Sequence, residues 1–199
     1  MTVKQVLTFQ KKTTTNLLGT FYGYVYGSSG TQTGPFAVGA YQIVPDTLYG
    51  LVVDKNVVAL SDIFDANTQE KLGEYLLLTR RRKLGAYLQG TNGGSMTDLE
   101  NACQEIAQEF ASFPTINLVR YKNANGTNQT FTISNTAYAG QEGNVQTGAG
   151  ELGFYQDGVN SSKKSATIAD VVQALITSRI QHSNIQPSFI PTYYVPPSP

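Results

Sequence analysis

Helix-start signals recur along this chain from Pro45 onward, and they constrain its fold more than any other feature. Pro45 suits the first turn of a helix, and Asp46 beside it favours the positive end of the helix dipole. Apolar residues then recur at three- and four-residue spacing, which is typical of helices with one buried face. We therefore predict a mainly helical domain with helices over about 45–55, 66–82, 84–88, 97–112 and 167–181.

Capping residues mark the beginnings of three of these helices. Asp65 is a good N-cap for the helix that starts at Ala66, and Ser95 or Thr97 can cap the next long helix. Thr167-Ile-Ala-Asp170 has the pattern of a capping box, in which the first and fourth residues satisfy each other's backbone N–H groups. These starts are local signals, so we expect them to be realised whatever the tertiary arrangement.

The region between the last two helices has a different pattern. Residues 115–136 alternate apolar with polar side chains on both sides of Asn125-Gly126, a dipeptide that favours tight turns. A β-hairpin is predicted here, and the Gly-rich residues 139–150 follow it as a loop. The resulting expectation is an α+β fold in which residues 115–150 are an insertion of hairpin and loop.

Both ends of the chain are expected to lie outside the domain. Residues 1–12 carry Val and Thr and are predicted to form a short strand or an extended arm. Residues 183–199 hold five of the eight prolines, so this tail cannot form a helix or a central strand. A disordered terminus is one interpretation of it. Its apolar side chains favour a docking segment, placed on another chain or on its own core, through Phe189, Ile190, Tyr193 and Tyr194.

Composition narrows the classes of function. Fourteen basic and fourteen acidic residues cancel, which argues against nucleic acid as a partner and weakens attraction to a membrane surface. No apolar run approaches a membrane span, and the N-terminus lacks the pattern of a cleaved signal peptide. His182 is the single histidine and Cys103 the single cysteine, so we expect no metal site, no disulfide and no cofactor.

Two smaller features have structural interpretations. Cys103 falls on an apolar helix face and is expected to be a buried small residue. Arg80-Arg-Arg-Lys83 is expected to complement the carbonyl end of the 66–82 helix, with binding of an anionic partner as the alternative.

Five motifs follow one another along the chain. They are Phe36-Ala-Val-Gly-Ala-Tyr-Gln-Ile-Val-Pro-Asp-Thr-Leu48, Phe64-Asp-Ala-Asn-Thr-Gln-Glu-Lys-Leu72, Ala86-Tyr-Leu-Gln-Gly90, Glu109-Phe-Ala-Ser-Phe-Pro114 and Gly153-Phe-Tyr-Gln-Asp-Gly-Val-Asn160. In this order they resemble the lysozyme-like domains of phage and bacteria, in the muramidase and lytic transglycosylase superfamily. The resemblance implies a lysozyme-like domain over residues 13–182. It also implies a glycan cleft lined by Tyr41, Gln42, Tyr87, Phe154 and Tyr155, with packing in the core as the alternative for these side chains.

One element of that family is missing from this chain. The family's catalytic glutamate lies upstream of the first motif, whereas residues 1–45 contain no Asp or Glu. Glycoside hydrolysis needs a carboxylic acid to protonate the leaving oxygen. Glu142 and Glu151 in the Gly-rich region are weak replacement candidates, and no catalytic residue is assigned. The glutamates at 70, 74, 105 and 109 are expected to lie on solvated helix faces.

The sequence therefore predicts a catalytically degenerate lysozyme-like domain used as a structural component of a phage virion, in the tail or baseplate. Its partners would be other virion proteins, bound through the C-terminal tail and the hairpin. The chain would be made in the host cytoplasm and located in the virion. The alternatives are an active virion-associated peptidoglycan hydrolase with a relocated acid, and a module that binds peptidoglycan without cutting it.

Overall fold

The computed structural model describes residues 1–10, 37–110, 113–116, 118–122, 128–132, 155–156, 166–192 and 194–196, with only the backbone described between 118 and 156. Its contacts divide the chain into two compact units, Met1–Leu76 and Leu77–Pro199. The sequence predicts one domain over residues 13–182, so the division into two units is a new finding. We call the two parts unit 1 and unit 2.

Three helices form the described part of unit 1. Helix α1 spans Val3–Gln10, and α2 spans Pro45–Tyr49 and continues as a π-helical segment, Gly50–Asp54. Helix α3 spans Ala66–Glu74 and continues as a second π-helical segment, Tyr75–Arg80, within which the unit boundary falls. Pro45 begins α2 and the Asp65 carboxylate accepts a hydrogen bond from the Thr68 N–H, so both predicted helix starts are confirmed.

The N-terminal strand or arm predicted for residues 1–12 is wrong over the described residues, which form helix α1. Val3, Val6 and Leu7 are buried, as is Gln10 one turn further on. This spacing of three, four and seven residues is helical, and it decides the structure because burial of one apolar face outweighs the weak strand propensity of Val and Thr. Only Thr2 makes a strand-like bridge, to Ile63.

The core of unit 1 is an apolar cluster supplied by α1, α2, α3 and the segment between α2 and α3. Its fully buried members include Val3, Leu7, Leu48 and Leu72. Burying a side chain of this size contributes roughly 1.5–3 kcal/mol. The three helices therefore hold residues 37–44, which precede α2, against α3.

Unit 2 is built on three further helices, α4 over Arg82–Leu88, α5 over Met96–Glu109 and α6 over Ile168–Ser183. Capping boxes start α5 and α6, from Ser95 with Asp98 and from Thr167 with Asp170. The predicted start at Thr167 is confirmed, and Ser95 rather than Thr97 caps α5. The core of this unit contains Leu84, Leu99, Cys103, Val172 and Ile176.

Three short strands lie between α5 and α6. Strand β1, Leu118–Lys122, pairs antiparallel with β2, Asn128–Thr132, and parallel with β3, Tyr155–Gln156. Helices make up most of the described residues, so the mainly helical class is confirmed. The inserted β-hairpin, however, is not supported as predicted. β1 also has a parallel partner, so it is the middle strand of a three-stranded arrangement rather than one arm of an isolated hairpin. The predicted turn at residues 124–126 lies outside the described residues.

Within the described ranges, no helix has the length and the apolar composition that crossing a bilayer requires.

Candidate functional site

The segment predicted to line a glycan cleft begins with a tight turn, residues 38–43, which we call the Tyr41 turn. Val38 and Ile43 close it with two backbone hydrogen bonds, of 3.1 and 2.8 Å. Gln42 lies at its tip with φ 49°, in the left-handed region that non-glycine residues adopt at a cost of about 1 kcal/mol. Its side-chain amide donates to the Gly39 carbonyl oxygen at 2.9 Å, and the residue as a whole remains exposed.

Helix α3 holds this turn through polar contacts. The Tyr41 hydroxyl donates to Glu70 Oε2 at 2.8 Å, and the Ala40 N–H donates to Gln69 Oε1 at 2.9 Å. The Tyr41 ring covers Gly73, where a Cβ atom would lie 2.4 Å from the ring. Donation to the Glu70 carboxylate, with smaller effects of burial and of the Glu70 charge, raises the pKa of Tyr41. The turn therefore presents a fixed aromatic ring and an exposed amide beside a carboxylate.

Tyr87, predicted to line the same cleft, lies in the core of unit 2 instead. The residue is fully buried, and the Arg179 guanidinium carbon lies 5.0 Å from the centroid of its ring. Its hydroxyl has no hydrogen-bond partner among the described residues. Burial is the main cause that raises the pKa of Tyr87, and it outweighs the opposing effect of the Arg179 charge. The prediction of a surface role for Tyr87 is corrected to a core-packing role.

The side chains of the remaining predicted site residues are not among those that the structure describes. Phe154, Glu142 and Glu151 lie outside the described residues, and Tyr155 begins β3 with only its backbone described. Tyr41 and Gln42 are therefore the only two predicted cleft residues whose described side chains lie together at a surface. That surface belongs to unit 1, and Tyr87 belongs to unit 2.

A buried cation, Arg179, was missed by the sequence analysis. The side chain is fully buried, and its Nη1 donates to the Tyr87 carbonyl oxygen and to Asn92 Oδ1, both at 2.8 Å. Its Nη2 donates to the Asn92 carbonyl oxygen at 2.8 Å, while Nε has no partner among the described residues. Arg179 follows Leu175 and Ile176 at helical spacing, so a signal for burial existed. The residue type itself gave no such signal, because arginine is rarely buried.

Two glutamates predicted to be solvated are fixed structural groups. Glu105 Oε2 accepts a hydrogen bond from the Leu84 N–H in the first turn of α4 at 2.8 Å. Glu109, whose side chain is 6% exposed, pairs with Arg80 at 3.3 Å and with Arg81 Nε at 2.8 Å. The basic cluster therefore joins the start of α4 to the end of α5, rather than only complementing a helix terminus.

Among the described aspartates, the two with altered acidity lie at helix starts, Asp65 as the N-cap of α3 and Asp170 in the capping box of α6. The pKa of Asp65 is lowered, mainly because its carboxylate accepts a hydrogen bond from the Thr68 N–H, and the backbone N–H of Thr167 lowers the pKa of Asp170 in the same way. Both carboxylates are therefore stabilised as anions, which is the wrong direction for a general acid.

The Pro-rich tail lies against unit 2. We call residues 184–196 the strap, of which Tyr193 is outside the described residues. The Ser188 and Phe189 N–H groups donate to the Gly93 and Gly94 carbonyl oxygens at 3.1 and 3.0 Å. Further along, the side chain of Gln173 accepts from the Val195 N–H at 3.0 Å and donates to its carbonyl oxygen. The strap is therefore an ordered segment held through its backbone.

The apolar residues of the strap lie on two faces, one packed against unit 2 and one exposed. Phe189 and Tyr194 pack against the core cluster, and the prolines at 187 and 191 are buried. Ile185, Ile190 and Val195 are 46%, 43% and 69% exposed. Of the predicted docking residues, Ile190 alone is described as exposed, because Phe189 and Tyr194 contact the chain's own core. Through this inward face the tail packs on the core of its own chain.

Comparison of the chain with protein-family models, with curated proteins and with solved structures finds no match. Within the described part of the chain, no group of three or more His, Cys, Asp or Glu side chains is arranged to hold a metal ion. The site must therefore be interpreted from its own geometry.

Proposed function

We propose that this chain is a structural component of a phage virion, in the tail or baseplate, built on a catalytically degenerate lysozyme-like domain. The proposal is supported by the ordered set of motifs and by the absence of any Asp or Glu from residues 1–45. The observation that carries it is the strap, whose outer face exposes Ile185, Ile190 and Val195.

An anchored strap suits assembly for an energetic reason. A segment that is already ordered loses little conformational entropy when a partner covers it, so more of the hydrophobic gain appears as affinity. The three exposed residues are branched and uncharged, and interface cores are depleted in charge. The predicted partners are other virion proteins, and the strap's outer face is the surface that we assign to them.

Incorporation into particles tests this function. The double substitution Ile190→Ser with Val195→Ser removes outward apolar surface but keeps the inward contacts of Phe189 and Tyr194. We expect it to reduce incorporation at least tenfold, measured by quantifying the chain in purified particles. Ile63→Ser is the matched control, because Ile63 is 56% exposed but belongs to unit 1. Wild-type incorporation of the double variant would overturn the proposal.

The Tyr41 turn favours a second candidate, a module that binds peptidoglycan without cutting it. An exposed amide held at a positive φ, next to a fixed tyrosine ring and a carboxylate, offers the polar groups that recognise sugar hydroxyls. Gln42→Ala should then abolish sedimentation of the protein with purified cell walls. A cell-wall-clearing band that is lost on Glu142→Gln or Glu151→Gln would instead favour the hydrolase.

A further inference from the structure

We propose that the strap exchanges between two copies of this chain, so that each copy's strap occupies the groove of the other. The groove consists of the Gly93 and Gly94 carbonyl groups, the Gln173 side chain and the core face that Phe189 and Tyr194 cover. Its occupant in the exchanged form is chemically identical to the one it already holds. The partner is therefore a second copy of this chain.

The groove recognises the strap mainly through the strap's backbone. Two N–H groups of the strap bond to Gly93 and Gly94, and one side-chain amide, that of Gln173, satisfies both the N–H and the carbonyl group of Val195. These contacts specify an extended segment but contain nothing that requires it to come from the same molecule. The same hydrogen bonds are available to the strap of a second copy, as in other cases of peptide addition to exposed backbone groups.

The fit of the groove depends on one glycine. Gly94 has φ +65°, and a Cβ atom there would lie 2.7 Å from Pro187 Cα. The neighbouring Gly93 has no atom within 4 Å of the corresponding position. A side chain at 94 therefore excludes the strap, whereas one at 93 leaves it in place. This pair of adjacent positions provides matched variants that separate an occupied groove from a blocked one.

A short hinge joins the strap to α6. Asn184 ends the helix with φ 57° and ψ 26°, and the following two residues, Ile185 and Gln186, are exposed before Pro187 is buried. The backbone hydrogen bonds at this hinge are local, from Asn184 N to the Ile180 carbonyl oxygen and from Ile185 N to Ser183 Oγ. A change of backbone conformation at Asn184, a common left-handed residue after a helix, can direct the strap away from its own groove while a second copy offers the same groove contacts.

Concentration decides between the two forms, because exchange conserves the contacts in the groove. A short hinge gives the strap an effective concentration at its own groove on the order of millimolar, so dilute protein is monomeric. Exchange becomes competitive where copies are crowded together or where the hinge prevents closure within one chain. The proposal rests on the proposed function only in suggesting where such crowding occurs.

The first test shortens the hinge in the full-length chain. Deleting Ile185 and Gln186 removes roughly 7 Å of reach, so the strap can no longer close on its own groove. We expect the apparent mass from light scattering to double at micromolar protein. The same deletion combined with Gly94→Ala should stay monomeric, and combined with Gly93→Ala it should still double. A hinge-deleted chain that remains monomeric would overturn the proposal.

The second test keeps the natural hinge and reports the exchange directly. The double variant Gln173→Cys with Val195→Cys keeps the hydrogen bonds to Gly93 and Gly94 and the packing of Phe189 and Tyr194. Its two new thiols are bridged with a short bismaleimide, while Cys103 is protected because it is fully buried. Denaturing electrophoresis should show a linked dimer whose share rises at least tenfold between micromolar and millimolar protein. In the Gly94→Ala background this dimer should be lost. Linkage confined to single chains at millimolar concentration would contradict exchange, and neither test uses virions.

Discussion

Tyr41 and Tyr87 were assigned the same role by the same resemblance, and the structure places them in opposite environments. Tyr41 lies in a surface turn of unit 1, where its hydroxyl donates to the exposed Glu70 carboxylate at 2.8 Å. Tyr87 is fully buried in unit 2, beneath the Arg179 guanidinium and with no partner for its hydroxyl among the described atoms. The comparison shows that a place in one of the family-like motifs does not determine whether a tyrosine lies at the surface or packs in a core.

The two regions also differ in where their charged groups lie. The carboxylate that binds the Tyr41 turn, that of Glu70, is exposed and solvated by water. The Tyr87 region buries a guanidinium group against neutral carbonyl and amide oxygens. Burying a cation is costly, so this arrangement persists only if the hydrogen bonds to Tyr87 and Asn92 offset the desolvation penalty. Four sets of variants test the comparison, beginning with the largest expected effect.

Arg179→Met should lower the free energy of unfolding by about 3 kcal/mol, because it removes the three hydrogen bonds that the buried guanidinium donates to the Tyr87 carbonyl oxygen and to the two oxygens of Asn92. Urea titration followed by circular dichroism measures the change. Arg82→Met on an exposed surface is the control and should change stability by less than about 0.5 kcal/mol. A stabilised Arg179→Met protein would mean that desolvation of the cation outweighs its hydrogen bonds.

Gly94→Ala should lower the stability of unit 2 by about 2 kcal/mol. The new Cβ atom would overlap Pro187 and lie 3.0 Å from the Arg179 guanidinium carbon, and alanine is also strained at φ +65°. Gly93→Ala should change stability by less than about 0.5 kcal/mol. Thermal unfolding of the two variants side by side checks this, and equal effects at the two positions would show that the strap does not pack closely here.

Removing the side-chain hydroxyl should change the free energy of unfolding in opposite directions at Tyr87 and Tyr41. Tyr87→Phe deletes a buried oxygen that has no partner, so stability should rise by as much as about 1 kcal/mol. Tyr41→Phe removes a surface hydrogen bond to a carboxylate, so stability should fall by about 0.5 kcal/mol. Each variant serves as the control for the other in urea unfolding. A loss on Tyr87→Phe would show that its hydroxyl is satisfied in solution.

The smallest effect is a pH dependence at the Tyr41 turn. Glu70 raises the pKa of Tyr41 above the usual value of about 10, so the folded chain binds the proton of the Tyr41 hydroxyl more tightly than the unfolded chain does. This contribution is fully present below pH 10 and is lost as the pH rises through the raised pKa. Glu70→Gln should lower the Tyr41 pKa, followed by NMR of ring-labelled tyrosine because the chain has 12 tyrosines. An unchanged titration would exclude the Glu70 hydrogen bond in solution.

The helix starts at Asp65 and Thr167, together with Pro45 in the first turn of α2, were predicted from the sequence because such signals act within four residues of the chain. Helix α1 was also encoded, in the spacing of Val3, Val6 and Leu7, because burial of this helical face outweighs the strand propensity of valine and threonine. For the candidate site, the sequence identified the Tyr41 turn through its motif. It did not reveal that Tyr41 would be joined to Glu70, because that contact spans 29 residues.

The sequence by itself determined where α2, α3 and α6 begin, that the chain carries balanced charge, and that no Asp or Glu precedes Asp46. Only the tertiary structure decided that Tyr87 and Arg179 would share a buried environment and that the strap would turn Phe189 inward and Ile190 outward. The physical reason is that burial is a property of the whole packed unit. An arginine 92 residues from its partner carbonyl becomes a core residue only when packing excludes water from both.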